Sequence, residues 1–401
     1  MRLLLIVVSL VWIFPLFGQN QDTNDASEEK EGLSKDSRKA VVVKKTDKKI
    51  KSRTSEKKAV EQEYGTFDME EAESEAPMPG IQSTQSYKAV ESNFNLNKVQ
   101  STNQRTQRSP SVSQQNEMNN AVKFFETNSP NSFEHNFFYY VSGNYDISRE
   151  YYLNQAESMR PSNADVQIQK AALFIIKGDK QNAIKYIDKL IVVNRLSASA
   201  LSYGKDVLKS TPMGGTLVTH GFDDTYSVWY AQNKLGIRKD VVLVSLDFMQ
   251  SDYYQSELTK KGYNLPTSNL IDVNYFTSFC QLNVSQKVSV SMTLPKEYLS
   301  GLLPNLYVTG LVFEYHEDKY SNFNRNNELW NSILSKDLVN HASDEKGKQL
   351  SSNYLPMLLQ LRRVYNEKGN VKQVKLVDQD IDKVGVQCRK YDKVQQLKGA
   401  Y

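Results

Sequence analysis

The sequence predicts an α+α/β protein: short tetratricopeptide-like helical repeats, followed by a βαβ-containing α/β domain and C-terminal helices, with a disordered N-terminal arm. Three observations predict this. Two helical stretches, centred on Gly143 and Gly178, resemble each other. The stretch "GGTLVTHGFDDTYSVWYAQNKLGIRKDVVLVSLDFM", Gly214 to Met249, has the pattern strand, turn, helix, strand. Residues 19 to about 115 show almost no apolar periodicity. The chain has 401 residues, enough for two or three domains.

At the start, Met1 and Arg2 precede the apolar run Leu3 to Phe17, then Gly18 and Gln19. A basic start, a short apolar core and a small residue before a polar stretch predict a secretory signal peptide over residues 1–18, cleaved near Gly18/Gln19. The run is shorter than the roughly 20 residues a membrane-spanning helix needs, so an uncleaved anchor is the lesser alternative. No cysteine follows the run, which argues against a lipoprotein. No later stretch is apolar enough to span a bilayer. A periplasmic location is expected, with no transmembrane segment in the mature chain.

Residues 19–115 open polar and turn Lys-rich at "VVVKKTDKKIKSRTSEKK". They then become acidic at "MEEAESEA" and finally rich in Ser, Gln and Asn. Such a segment buries too little surface to offset the entropy of ordering, which predicts a disordered arm. Its basic block suits an anionic membrane surface or acidic polymer, or is simply a solvated tail.

Residues 117–210 change character. Gly143-Asn144 precedes Ser148 much as Gly178-Asp179 precedes Ala183. The two glycines stand 35 positions apart, close to the roughly 34-residue tetratricopeptide period. Tyr152 and Ile187 take equivalent core-facing positions one turn on. Pro161 ends the first unit, whereas Arg195 holds that place in the second. The helices either brace the next domain or offer a partner groove.

Residues 211–320 carry the α/β pattern. "GTLVTH" is β-rich. Val228, Ala231 and Leu235 share one helical face, which Gly236 ends. "DVVLVSLDF" is a continuous apolar run of the buried parallel-strand type. The loop His220 to Thr225 then lies at the carboxyl end of a strand, where open α/β sheets place ligands. His220, Asp223, Asp224 and Thr225 are the ligand-binding candidates, with Trp229 and Tyr230 as rings for stacking on a sugar. The competing reading is structural, because Asp-Asp-Thr is also what helix capping selects. The stretch has no Gly-rich phosphate loop, nucleophile elbow or His-x-x-x-His pair. No catalytic residue, metal ligand or cofactor is assigned.

The same residues carry a resemblance. Gly221, Asp224, Thr225, Trp229, Tyr230, Gln232, Gly236, Arg238, Asp240 and Val241 match a pattern Asn-Gly-Asp-Asn-Asp-Thr, Trp-Tyr-x-Gln, Gly-x-Arg-x-Asp-Val. "VSVSMTLPKEYLSGLLPNLYVTGLVFEY" continues it. From about Thr211 to Tyr315 the chain thus resembles the soluble C-terminal domain of a bacterial multi-pass membrane glycosyltransferase family related to protein O-mannosyltransferases. His220, Phe222 and Asp223 depart from the pattern. The resemblance implies the family's soluble appendage without its membrane-embedded enzyme. Arg238 and Asp240 are expected to form a structural charge pair.

Residues 321–401 predict C-terminal helices and a tail. Leu329, Ile333 and Leu338 lie near one face beside Trp330, Pro356 starts or kinks a second helix, and Gly369 stops it. The final charged stretch either docks on the α/β domain through Cys388 or acts as a partner tail. Cys280 and Cys388 either form a disulfide, as an exported chain allows, or stay as two thiols.

A net charge of +4 is too small to imply nucleic acid. The chain holds 23 Tyr and 16 Phe, which suit interfaces and ordinary repeat cores alike, and "FFYY", Phe137, Phe138, Tyr139 and Tyr140, is the expected partner surface. The function expected is a non-catalytic periplasmic interaction or scaffold protein with envelope protein partners. An accessory or enzyme of protein or surface glycosylation is the second expectation. A protein that binds carbohydrate or peptidoglycan is the third.

Overall fold

The structure, a computed structural model, describes residues 84–103 and 105–399. The expected signal peptide at 1–18 and the first part of the expected arm lie outside the described residues. Before the sheet come α1 (Thr84–Asn103), α2 (Val112–Asn128), α3 (Phe133–Val141), α4 (Glu150–Met159), α5 (Ala164–Lys177), α6 (Lys180–Val192) and α7 (Ala198–Ser210).

The arm does not run to residue 115 as expected. In α1, Tyr87, Val90 and Phe94 recur at helical spacing and line one face. The stripe is narrow, so only packing makes it count. Phe94 is buried and stacks on Phe138 at 4.1 Å, and Tyr87 meets Phe124 edge-on at 5.3 Å. Ser111 and Gln114 then form a capping box that opens α2.

Helices α3 and α4 pack together, as do α5 and α6. Gly178 ends α5 in the left-handed conformation, φ +74°. At the first turn the left-handed residues are Asn144 and Tyr145, not Gly143. There a 3-10 turn, Ile147–Arg149, capped by Asp146, delays α4. Ser148 therefore sits in that turn, whereas Ala183 is fully buried inside α6. Leu153 is the fully buried residue of α4, and Tyr152 is half-buried. The expected partner surface also needs correction. Phe137, Phe138 and Tyr140 are buried, because α3 presents aromatics to α1, α2 and α4 at once. Tyr139 is half-buried, 4.1 Å from Tyr152 and under the Arg149 guanidinium.

The sheet follows from β1 (Thr216–Thr219), α8 (Gly221–Asn233), β2 (Val242–Ser245), α9 (Asp252–Lys260), α10 (Val273–Leu282), β3 (Val288–Ser291), α11 (Lys296–Leu299), β4 (Leu306–Thr309) and β5 (Val312–Tyr315). Its order is β2-β1-β3-β5-β4. β1 pairs in parallel with β2 and β3, in register Val218↔Val244 and Val218↔Val290. β5 runs antiparallel to β3 and β4. β1, β3 and β5 are buried throughout, as strands covered on both faces should be. The chain steps from β1 to β2 on one side and later to β3 on the other. The carboxyl ends of β1 and β3 therefore flank a topological switch point.

After the sheet come α12 (Phe323–Glu328), a π turn (Leu329–Ile333), α13 (Asp337–Asn340), α14 (Glu345–Ser351), α15 (Leu355–Glu367), α16 (Val371–Gln387) and α17 (Tyr391–Gly399). Pro356 stands in the first turn of α15, and Gly369, φ +66°, follows its end. α16 buries Val377, Ile381 and Val384 and packs on α15, so the charged final stretch is docked. Asp206 of α7 is fully buried and accepts hydrogen bonds from the Ser335 and Lys336 amides and the Tyr354 hydroxyl. This ties the C-terminal helices to the sheet layer. No disulfide forms: Cys280 is buried in α10 and Cys388 caps α16, and both thiols are free. Among the described residues no helix is long and apolar enough to cross a membrane.

Candidate functional site

The candidate loop sits at the carboxyl end of β1. His220 is the N-cap of α8 in extended conformation, and Gly221 turns the chain at φ +66°. The helix therefore begins before Asp223, Asp224 and Thr225; the two carboxylates occupy its first turn and Thr225 opens the second, so none of them is the N-cap residue. Carboxylates there are favoured by the unpaired amides and the positive end of the helix.

Each candidate already has partners within the chain. Asp224 is buried. It accepts from the His220 amide at 3.2 Å and from Ser291 Oγ of β3 at 2.9 Å. Ser291 also meets Thr293 Oγ1 at 2.9 Å. Thr225 Oγ1 lies 3.1 Å from Thr219 Oγ1 and 3.4 Å from Ser245 Oγ, which joins β1, β2 and α8. Asp223 pairs with Lys346 of α14.

His220, Asp224 and Ser291 are thus neighbours, yet they do not form a nucleophilic triad. Such a triad needs the imidazole between serine and carboxylate. Here the carboxylate lies between, with His220 Nδ1 3.7 Å from Asp224 Oδ2, and Ser291 is wholly inaccessible. A serine that donates to a carboxylate and cannot reach solvent is an anchor between β3 and α8.

Two residues that the sequence reading missed complete the site. Asp247 follows β2 and accepts the Gly221 amide at the start of α8. Arg108, from the segment between α1 and α2, grips Asp247 Oδ1 with Nε at 2.9 Å and Nη2 at 2.6 Å, and both side chains are buried. The segment is held by a bridge between Gln107 and Asp272. The Arg108 amide donates to Ile271 O at 2.6 Å, and the Ile271 amide donates to Ser109 Oγ at 2.9 Å. The helix N-terminus at the switch point is an anion site by its physics. In this chain Asp247 is the anion and Arg108 its counter-ion. Asp247 was legible as a polar residue closing the apolar run "DVVLVSLDF". Arg108 carried no signal, lying in a segment of disordered composition.

The proposed sugar-stacking pair is corrected. Trp229 is buried among Ile187, Leu190 and Ala200, because α8 turns that face toward α6 and α7. Tyr230 donates to Asp188 Oδ1 at 2.6 Å. Burial and that carboxylate push its hydroxyl up to about 12. The Trp229 ring is thus enclosed, while Tyr230 is half-buried with its hydroxyl committed to Asp188. Arg238 and Asp240 stand 2.8 Å apart. Arg238 also donates to the Thr211 and Pro212 carbonyls, and Asp240 accepts the Gly214 amide at 2.8 Å. The Arg238 guanidinium holds the Asp240 carboxyl well below its usual range. Among the described residues no three His, Cys, Asp or Glu side chains are grouped to hold a metal.

Residues 200–389 match the family described as TMEM260-associated domain 2. The match points to a TMEM260-like family, which is related to O-mannosyltransferases. It runs from α7 to the end of α16. The C-terminal helices therefore lie inside the matched unit, beyond the limit at about Tyr315 set by the resemblance. No curated protein and no solved structure matches the chain.

Proposed function

We propose that this is a non-catalytic periplasmic interaction protein, exported by a cleaved signal peptide. It works as a subunit or accessory of an envelope assembly, secretion or surface machinery. The observation that carries this reading is the filled switch point. The position where a doubly wound fold takes its ligand is occupied by the chain's own Arg108–Asp247 pair. The remaining candidates, Asp223, Asp224 and Thr225, are bound to Lys346, Ser291 and Thr219. His220 Nδ1 and Asp223 Oδ1 remain unpaired, and a site otherwise held by the chain's own contacts supports adhesion between surfaces better than turnover. Affinity purification of the tagged protein from detergent-solubilised envelopes, with mass spectrometry of the eluate, tests it. A stoichiometric envelope protein is expected, and its absence removes the reading.

A second reading is an accessory or enzyme role in glycosylation, and the match over residues 200–389 is what favours it. It requires that deleting the gene shift the masses of periplasmic glycoproteins, and that Asp224→Ala reproduce the deletion. An unchanged glycan profile in the deletion strain sinks it.

A further inference from the structure

Beside the Arg108 segment lies a cleft of about 280 Å³ lined by Ser109, Pro110, Val112, Gln115, Asn144 and Gln250, with Asn116 and Asn269 at its rim. We propose that this cleft binds a neutral, hydroxyl-rich ligand the size of a mono- or disaccharide. The inference goes beyond the interaction role and does not depend on it.

The chemistry of the lining carries the argument. No lining residue is charged. The nearby Lys98 ammonium is committed to Asn144 Oδ1 at 3.1 Å, and Arg108 to Asp247. An anionic ligand would find no cation in the lining.

What the lining offers instead is a set of neutral donors and acceptors, some locked and some free. Asn144, left-handed at φ +50°, donates to Gln115 Oε1 at 2.6 Å, and Gln115 donates to the Ser142 carbonyl at 2.9 Å. These two amides form a fixed wall. Gln250 Nε2 donates to the Asp247 carbonyl at 3.0 Å, which sets the orientation of its amide. Its Oε1 is then buried with no partner, and a buried acceptor left unpaired is costly. A turn of the Gln250 side chain would present it to a ligand hydroxyl in the cleft. Ser109 Oγ accepts the Ile271 amide, so its own proton remains available to donate. The carboxamides of Asn116 and Asn269 make no side-chain hydrogen bond among the described residues and can each donate and accept. Pro110 and Val112 supply an apolar wall, and Val112 is 80% exposed. A pyranose presents such a combination in reverse: hydroxyls around the rim and an apolar C–H face.

The test is saturation-transfer NMR on the full chain with mannose, glucose, N-acetylglucosamine and chitobiose. Glucuronic acid and glucose 6-phosphate serve as anionic counterparts, and a neutral tripeptide as a peptide control. Transfer to one or more neutral sugars is expected, with little to the anions or the peptide. Gln250→Ala and the exposed-rim variants Asn116→Ala and Asn269→Ala should each weaken binding about three- to tenfold, the effect of one lost net hydrogen bond. The rim variants should melt like the parent, which keeps the test valid even if Gln250→Ala is unstable. No transfer to any neutral sugar overturns the proposal. So does equal or tighter binding of the anions or the peptide, or sugar binding that the rim variants leave unchanged.

Discussion

Arg108 and Asp247 are 139 positions apart in the chain and 2.6 Å apart in space, and together they close the switch point of the sheet. The pair is buried on both sides, so its net effect is governed by desolvation more than by attraction. Breaking it deprives one buried charge of its ion pair. Arg108→Ala or Asp247→Ala should each cost about 3–5 kcal/mol of unfolding free energy. Arg108→Met with Asp247→Leu should cost less than either alone. Urea titrations of the three variants check this, and additive losses would contradict it.

Asp224 is an anchor in this fold. Asp224→Ala leaves the His220 amide unpaired in the interior and strips the Ser291 hydroxyl of one partner, with Thr293 Oγ1 still in reach, at about 1–3 kcal/mol for the buried orphan. The variant should lose stability in urea at least as clearly as any biological activity. A variant that is fully stable yet inactive would favour a chemical role.

Phe94 tests whether α1 belongs to the folded unit. Phe94→Ala removes the ring stacked on Phe138 and should cost about 3–5 kcal/mol, as for other core aromatics. Hydrogen exchange should show protection across α1 in the parent. Fast exchange there, with no change in stability on substitution, would return the segment to the arm.

Lys98 sets a pH dependence. Burial pushes its ammonium down to about 8; Asp247 draws it back up and Arg108 presses it lower. The unfolded chain keeps this proton to about 10.4. Between those values the unfolded state binds more protons, so the Lys98 contribution to stability rises with pH. The stability difference between the parent and Lys98→Met should therefore shift in the parent's favour from pH 8 to 10.4 and stay flat below pH 7. A difference that is constant across the range contradicts the assignment.

Gly310 turns the chain between β4 and β5 at φ +57°, and a Cβ there would lie 2.7 Å from Ser210 Cβ. Ser210 Oγ holds the Leu311 amide at 3.0 Å, so it is not free to move away. Gly310→Ala combines left-handed strain of about 1 kcal/mol with that collision and should lower the melting temperature by several degrees. Ser210→Gly in the same chain should restore part of the loss.

Where the sequence was most legible, one local signal sufficed. The apolar runs "GTLVTH" and "DVVLVSLDF" and the glycine-punctuated helix between them yield β1, β2 and α8, because packed strands favour continuous apolar runs. Gly178, Pro356 and Gly369 mark helix ends through backbone sterics alone. The register of α4 was not legible, since the 3-10 turn capped by Asp146 displaces it from the spacing that Gly143 suggests. Trp229 and the Phe137–Tyr140 run misled for a common reason. An aromatic side chain suits an interface and a core equally well, and only the neighbouring helices decide which it joins.

By itself the sequence determined the class of the fold, its central βαβ unit and the position of the candidate loop. Periodicity, glycine and proline act over a few residues, and those determinants survive without any partner. Tertiary structure alone decided what the loop does. It brought Arg108 from a segment of disordered composition onto Asp247, set Ser291 against Asp224, and placed Lys346 against Asp223. These contacts join residues 67 to 139 positions apart. No local pattern encodes such pairs, because their geometry exists only once the helices and the sheet have closed around them.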